Sequence, residues 1–257
     1  MNLTRNIEAI DLALYLKKQN TLIIADTHIG YEEALNKRGV FIPRFQFKEI
    51  VQRLEKILSK VKNLDKIIIN GDIKHEFGTI SDQEWRHTLQ LLDFLAKHCN
   101  EIILVKGNHD KIIGPIANKR KVKVVDSYTI DDILILHGNK IPNLKNYKTI
   151  IIGHEHPAIS LRDGPRIEKY KCFLKGKYKK KILIVQPSFN LVTEGTDILR
   201  NCYAISGTQK IPEEFLSVSK EKVLSPFLKQ DLKNFNIYIV AKDKILDFGK
   251  LAINLTE

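Results

Sequence analysis

Short apolar runs rich in β-branched residues recur through the first 152 residues of the chain, and each is followed directly by polar residues. Runs of this length with little alternation are typical of strands that are buried on both faces of a sheet. Because such strands carry helices packed against the sheet, the pattern predicts an α/β fold. The predicted strands cover residues 22–25, 67–69, 102–105, 133–136 and 150–152.

Helical spacing fills several of the segments between these runs. Residues 47–61 place apolar side chains three or four positions apart, which predicts an amphipathic helix. Ser81 with Glu84 three positions later forms a capping box, so a second helix is predicted from there to about residue 97. A third and shorter helix is predicted within 112–119, where Pro115 fits a first turn.

After residue 156 the pattern changes to strands and turns. The basic segment 162–181 contains Gly164-Pro165 and Gly176, which predicts a hairpin with a long tip. Further strands are predicted at 182–185, 236–240 and 245–248, and a weak helix or loop at 212–229. Without repeats or a linker-like stretch, the chain is predicted to be one domain, 1–257, with a core at 1–204 and a β-containing C-terminal appendage at 205–257.

Composition is that of a globular protein, with 43% hydrophobic and 28% charged residues in 257 positions. No apolar run approaches the roughly eighteen residues that cross a bilayer, and residues 1–5 do not begin a signal peptide. The three cysteines, Cys99, Cys172 and Cys202, show no Cys-x-x-Cys spacing, which argues against a disulfide framework or a zinc knot. A cytoplasmic protein with no membrane partner is therefore expected.

The formal charge of +12 and the pI near 9.4 suggest an anionic partner such as DNA or RNA. A compositional bias is an equal alternative, because most of the cations are lysines and only nine are arginines. The charge leaves both explanations open, and the oligomeric state is open too, with a homodimer among the alternatives.

Polar residues with metal-ligand chemistry stand where the predicted strands end, at the edge where functional groups collect in an α/β sheet. Residues two apart on an extended backbone project to one side, so Asp26 should share a side with His28 and His154 with His156, while Thr27 and Glu155 point elsewhere. Carboxylate, amide and imidazole donors suit a divalent Mn, Fe, Zn or Co ion. The candidate ligands are Asp26, His28, Asp72, Asn108, His137, His154 and His156.

These residues form ordered motifs: Asp26-x-His28, Gly71-Asp72, 107–110 (Gly-Asn-His-Asp), His137 and 153–156 (Gly-His-x-His). Together they resemble the signature blocks of the calcineurin-like metallophosphoesterase superfamily. Segments 30–35, 41–45 and 71–77 resemble its small archaeal phosphoesterases and the bacterial phosphoesterases associated with DNA ligase and a helicase in DNA repair. The resemblance implies a four-layer α/β/β/α sandwich with mixed sheets.

The resemblance also implies two divalent metal ions, manganese being favoured over Fe, Zn, Co and Ni. One ion would be held by Asp26, His28 and His156, the other by Asn108, His137 and His154, with Asp72 bridging them. His109 would act as general acid or stabilise charge on the phosphoryl group. Asp110 would orient His109, or alternatively would hold the loop after its strand.

One position departs from the pattern, because many relatives have an acidic residue where this chain has His75. His75 would contact substrate, support the metal ligands, or simply begin the next loop. Arg44 and Lys74 are further candidates for contacting phosphate, against the alternative of ordinary solvated surface.

The function expected from the resemblance is hydrolysis of phosphoesters, preferably phosphodiesters such as nucleic acid. A phosphomonoesterase or protein phosphatase is the alternative, and so is a non-catalytic scaffold, although every motif position is filled. Motifs for nucleoside triphosphates, dinucleotides and serine hydrolases are absent from the sequence. The basic hairpin 166–181 carries Tyr170, Phe173 and Tyr178, which would stack on unpaired bases or pack the hairpin onto the body.

Overall fold

The computed structural model describes residues 1–144, 147–163, 165–198, 223–230, 232–242 and 244–251, in which two β-sheets lie face to face. The first sheet has six strands in chain order, antiparallel up to the third and parallel from there on. Its strands are β1 (Ile7–Ile10), β2 (Ala13–Leu16), β3 (Thr21–Ile24), β4 (Leu64–Asn70), β5 (Cys99–Val105) and β6 (Lys123–Val125).

The second sheet has nine strands and is also mixed. They are β7 (Ser127–Ile130), β8 (Ile133–Leu136), β9 (Thr149–Ile152), β10 (Pro157–Asp163), β11 (Arg166–Tyr178), β12 (Lys181–Val185), β13 (Thr196–Asp197), β14 (Asn236–Val240) and β15 (Ile245–Lys250). The order across the sheet is β13-β10-β11-β12-β9-β8-β7, and β14 joins β11 and β15. Strands β8, β9 and β12 are parallel neighbours, so β8 and β9 end at one edge.

Four α-helices lie in the described residues, and all of them fall between strands of the first sheet. They are α1 (Tyr31–Lys37), α2 (Gln46–Leu58), α3 (Asp82–Leu95) and α4 (Gly114–Lys119). Buried side chains of α2, α3 and α4 belong to the same apolar core as the first sheet. The predicted capping box begins α3, where Ser81 accepts from the Glu84 N–H and Glu84 accepts from the Ser81 N–H. None of the helices described is long and apolar enough to cross a membrane.

Alternation along the second sheet separates two apolar cores. Ile133, Ile135 and Ile151 face the first sheet and join its core. Their neighbours along the same strands, such as Leu134 and Ile150, face the opposite way and pack in a second core with residues of 223–235. This segment contains a short 3-10 helix, Pro226–Leu228, and covers the outer face of the sheet.

The five strand runs and the three predicted helices are confirmed, as are the strands near 182–185, 236–240 and 245–248. The single hairpin at 162–181 is wrong: β11 runs straight through Gly176 and forms one hairpin with β10 and another with β12. Gly176 is needed for packing, because any Cβ there would overlap the ring of Phe235. Strands β1, β2, β6 and β7 and helix α1 were not predicted, and most of the segment 212–229 lies outside the described residues.

Candidate metal centre

The candidate ligands meet at the facing edges of the two sheets. They follow the carboxyl ends of β3, β4, β5, β8 and β9, so three loops come from the first sheet and two from the second. The loops are joined by backbone hydrogen bonds, with the Asp26 N–H donating to Gly71 at 3.1 Å and the Gly153 N–H donating to His137 at 2.9 Å. The sandwich thereby fixes the separation of residues that are far apart in the chain.

The backbone at the ligands is left-handed rather than extended. Five ligands have positive φ, at 54° for Asp26, 44° for His28, 48° for Asp72, 64° for His154 and 52° for His156. The premise of an extended backbone was therefore wrong, and His154 and His156 turn toward different clusters. Thr27 and Glu155 do point elsewhere, as predicted: Thr27 donates to the Ile73 carbonyl at 2.8 Å, and Glu155 accepts from backbone N–H groups at 224 and 225.

One cluster consists of Asp26, His28 and His156, whose donor atoms lie within 4.8 Å of one another. The two imidazoles face each other with their Nε2 atoms 3.4 Å apart. The Asp26 Oδ1 lies 3.6 Å from the His156 Nε2, while its Oδ2 accepts from the His154 N–H at 2.9 Å. One oxygen of this carboxylate is therefore held by the backbone and the other points into the cluster.

The second cluster consists of Asp72, His137 and His154, again with donor atoms within 4.8 Å. The His137 Nε2 lies 2.9 Å from the Asn108 Oδ1 and 3.2 Å from the Asp72 Oδ2. The same Asp72 oxygen lies 3.9 Å from the His28 Nε2 of the first cluster. Asp72 is thus positioned between the clusters, and this grouping coincides with the two ligand sets that the resemblance implied.

The donor set fits a pair of divalent cations. The buried Asp26 Oδ1 has no hydrogen-bond partner among the residues that the structure describes, which is costly unless a cation or another donor compensates. Two imidazole nitrogens and a carboxylate oxygen converging at each cluster are ligands that Mn, Fe, Zn and Co accept.

The ionisation of the imidazoles follows from burial and from neighbouring charges. Burial together with His156 lowers the pKa of His28 well below its usual value, and burial together with His137 lowers the pKa of His154 to about 4. Burial opposes the change at His137, but the hydrogen bond and charge of Asp72 raise its pKa to about 9. Burial likewise opposes the change at Asp72, where His137 holds the pKa below its usual range.

His109 lies at the border of the centre and belongs to neither of the two ligand clusters. Its backbone N–H donates to the Asp72 Oδ1 at 2.9 Å, and its Nε2 lies 3.8 Å from the Asp72 Oδ2. Its Nδ1 contacts the carbonyl oxygen of His75, which fixes the ring orientation. The His109 Nε2 faces the two ligand clusters, which is the position expected of a general acid.

Asp110 is fully buried and holds the loops together. Its Oδ1 accepts from the Ile73 N–H at 3.2 Å and its Oδ2 from the Gly107 N–H at 3.0 Å. Burial and the charge of Asp72 raise its pKa to about 7. These contacts favour loop support over direct contact with the His109 ring.

The three candidate substrate contacts are placed differently. Lys74 does not fit its predicted role, because its side chain is fully buried and its ammonium donates to the Glu76 carbonyl. His75 lies beside the centre, with its ring 5.4 Å from the rings of His28 and His109, and these three imidazoles form a third group of potential ligands. Arg44 is exposed in the loop between α1 and α2, and its contact with phosphate stays a prediction.

Some positioning residues were not found from sequence. Gln46, buried at the start of α2, donates to the carbonyls of Thr27 and His28 at 3.2 and 3.0 Å and to the Asn190 Oδ1 at 3.0 Å. Asn190 in turn donates its N–H to the Asp26 carbonyl at 3.0 Å. The sequence shows only a glutamine beside a predicted helix start, and its burial depends on partners from distant parts of the chain.

Two of the three aromatic residues of the basic strand β11 pack against the rest of the protein. Phe173 lies in the core, and Tyr178 packs edge-on against Phe227 with ring centroids 5.0 Å apart. Lys175 donates to the Leu3 carbonyl, and Lys181 to the Tyr147 carbonyl. For Phe173 and Tyr178, the structure favours the alternative that they pack the segment onto the body.

Known structures that resemble this chain include a nuclease and a Vps29 protein. The nuclease MPE of Pseudomonas putida has a TM-score of 0.59 at 19% identity, covering 93% of this chain and 92% of that one. Vps29 of Entamoeba histolytica complexed with zinc has a TM-score of 0.34 at 13% identity, covering 89% and 99%. No curated protein matches the chain.

At these identities the structural likenesses concern the fold alone. The family model of the calcineurin-like phosphoesterases, however, matches residues 20–175, which include all seven candidate ligands and His109. Enzymes of this family are metal-dependent hydrolases with dinuclear centres, as the two clusters suggest. The chain belongs to the calcineurin-like phosphoesterases.

Proposed function

We propose that this phosphoesterase hydrolyses phosphodiesters, with nucleic acid as its substrate class and manganese as its preferred metal. The observation that carries the proposal is the complete centre: two clusters of donors share Asp72, and the His109 ring is fixed beside them. The charge of +12 supports an anionic polymer. The nuclease of similar fold is compatible with this substrate class.

When bound at the two clusters, divalent metal ions would make hydroxide available at neutral pH and would compensate the charge of the phosphoryl oxygens. The chain contributes position and proton control. Asp26 is held by the His154 N–H and Asp72 by the His109 N–H, so both carboxylates keep their orientation without bound substrate. With its Nδ1 against the His75 carbonyl, the His109 ring directs its Nε2 at the centre, where it would donate a proton to the leaving oxygen.

The test is hydrolysis of bis(p-nitrophenyl) phosphate beside p-nitrophenyl phosphate, with Mn²⁺ added. We expect faster diester turnover, which Asp72→Asn abolishes because one ligand shared by both clusters loses its charge. Removing a general acid costs roughly 10²–10⁴-fold, so His109→Ala should lower kcat by that order. His98→Ala is the matched control, since this histidine packs on Phe94 outside the centre and its loss should leave turnover unchanged.

Two outcomes would contradict the proposal. Faster monoester turnover would redirect the search to phosphatase substrates while keeping the metal centre. Absence of turnover with Mn²⁺, Fe²⁺, Zn²⁺, Co²⁺ and Ni²⁺ in protein that circular dichroism shows to be folded would leave the scaffold alternative.

A further inference from the structure

The Phe77 ring covers the imidazole of His109, yet more than half of the phenylalanine is open to solvent. The two rings are in van der Waals contact, with centroids 3.6 Å apart and planes tilted by 33°. Phe77 is 56% exposed, whereas only 12% of the His109 side chain is exposed. A large apolar ring is therefore left in contact with water beside the metal centre, although its burial would contribute roughly 1.5–3 kcal/mol.

The loop that carries Phe77 is held in place by hydrogen bonds to its backbone. The Glu84 carboxylate accepts from the N–H groups of His75 and Glu76 at 3.0 and 2.7 Å. The ammonium of the buried Lys74 donates to the Glu76 carbonyl, directly before Phe77. Because the backbone is already fixed, a ligand that packs on the ring has little conformational freedom left to restrict.

Under the proposed function, His109 defines where the leaving oxygen of a phosphodiester lies. Its Nδ1 contacts the His75 carbonyl, so the Nε2 is the atom that would donate a proton. A general acid lies within roughly 3.2 Å of the oxygen that it protonates. The leaving oxygen is then within roughly 8 Å of the centre of the Phe77 ring, a distance that the sugar and base of one nucleoside span.

The same geometry places Phe77 on one side of the scissile bond. In-line displacement puts the attacking hydroxide opposite the leaving oxygen, so a ring against the general acid is on the leaving side of the phosphorus. An exposed phenyl ring offers a π-face on which a nucleobase stacks. The position of Phe77 therefore favours contact with the group that is expelled over contact with the attacking hydroxide.

We infer that Phe77 determines leaving-group specificity by stacking on the base of the nucleoside whose oxygen is expelled. The inference rests on the proposed phosphodiesterase function and adds which side of the scissile bond is recognised. Because a phenyl ring has no hydrogen-bonding group, the contact favours the presence of a base without selecting a particular base.

The test uses three dinucleotides with Mn²⁺: thymidylyl-thymidine and two analogues in which one nucleoside or the other lacks its base. The nucleoside that is released without phosphate identifies the leaving side. Removing the base on that side should lower kcat/KM of the wild type by about tenfold, since stacking contributes roughly five- to a hundredfold per base. Removing the base on the other side should leave kcat/KM almost unchanged.

Variants of Phe77 separate stacking from simple apolarity. Phe77→Ala should lower kcat/KM for thymidylyl-thymidine to the value for the analogue without the leaving-side base. Phe77→Trp keeps a π-face and should keep the preference for the base, whereas Phe77→Leu stays apolar without a π-face and should lose it. Leu246→Ala is the control, since it removes an exposed apolar side chain from β15 and should leave the ratios between the dinucleotides as in the wild type.

Several results would overturn the stacking role of Phe77. A base preference that persists in Phe77→Ala, or in full in Phe77→Leu, would do so, and so would a preference for the base on the retained side. An equal fall of kcat/KM on all three dinucleotides in Phe77→Ala would limit Phe77 to positioning the His109 ring.

Hydrolysis of bis(p-nitrophenyl) phosphate separates this inference from the function on which it rests. A wild type that cleaves this diester but none of the dinucleotides overturns the stacking role and leaves phosphodiester hydrolysis standing. Failure of the folded wild type on bis(p-nitrophenyl) phosphate overturns the phosphodiesterase proposal itself.

Discussion

Gly107 shows how closely single residues are fitted around the metal ligands. A Cβ at this position would overlap the Asp72 side chain and its backbone nitrogen. Because Asp72 lies beside His28 of one cluster and His137 of the other, even a small displacement of Asp72 would disturb both clusters. The glycine is required by the close approach of two loops, since its own φ is not left-handed.

Gly107→Ala is accordingly expected to reduce metal-dependent hydrolysis by at least about 10²-fold, because a 1 Å misplacement in a reaction centre has effects of this order. The measurement is Mn²⁺-dependent diester turnover together with thermal unfolding. Gly114→Ala is the control, because a Cβ there meets nothing within 4 Å at the start of α4. Equal activity of the two variants would show that the loop relaxes easily.

At the scale of elements, Glu84 connects a helix end to the centre. Its carboxylate accepts from the Ser81 N–H at 2.9 Å as part of the capping box of α3. The other oxygen accepts from the N–H groups of His75 and Glu76 at 3.0 and 2.7 Å. The cap thereby also holds the loop whose carbonyl oxygen orients His109.

Replacing Glu84 by Gln should therefore lower stability and activity together. Hydrogen bonds to a charged acceptor contribute roughly 1.5–3 kcal/mol, and the amide keeps only one acceptor oxygen. We expect a loss of that order in urea unfolding and a fall in kcat, since the His75 carbonyl is less firmly placed. Asp82→Asn, an exposed acid in the same helix turn, should leave kcat unchanged. A stability loss without any change in kcat would limit Glu84 to capping.

For the whole molecule, the metal centre joins the two sheets, so metal binding should stabilise the entire sandwich. Ions that bind only the folded state add RT ln(1 + [L]/Kd), about 2.7 kcal/mol at a hundredfold excess over Kd. Chelation should lower the Tm of the wild type and added Mn²⁺ should restore it. The Tm of Asp72→Asn should change with neither treatment. Unchanged Tm on chelation of the active enzyme would contradict this coupling.

The stabilisation of the protein by bound metal should also depend on pH. Protein stripped of metal keeps a proton on His137 below its raised pKa of about 9, and metal binding must release that proton. Metal affinity therefore rises as pH increases from 6 toward 9, and the Tm difference between loaded and chelated protein widens. Calorimetry in two buffers of different ionisation enthalpy measures the released proton, and a Tm difference that is flat over this interval contradicts the assignment.

Most of the central strands and the ligand positions could be predicted from short stretches of the sequence. Apolar runs ending in Asp, Asn or His gave five strands and the ligand positions, because a strand and its following turn are encoded within a few residues. That His154 and His156 would belong to different clusters was not predictable in this way, since it depends on left-handed turns of the backbone. Lys74 and Gln46 also required the fold, because burial of a polar side chain is decided by partners elsewhere in the chain.

The Glu155 carboxylate extends the centre into the C-terminal part of the chain. It accepts from the N–H groups of Leu224 and Ser225 at 2.9 and 2.8 Å, and Ser225 donates to the Gly138 carbonyl at 2.8 Å. The residue between two metal ligands thus anchors the segment that covers the second sheet. The predicted division into a core and an appendage stays a prediction, but these contacts and the pairing of β14 with β11 connect the two.

The left-handed backbone at Asp26, His28, Asp72, His154 and His156 has an evolutionary consequence. Such a conformation costs a non-glycine residue roughly 1 kcal/mol or more, and glycine adopts it freely. In a protein that no longer needs to hydrolyse substrate, replacing these ligands by glycine would increase stability. Such replacements would then be favoured and not merely neutral. The five side chains are therefore held at a cost in folding stability, as expected where backbone strain positions the ligands of a metal centre.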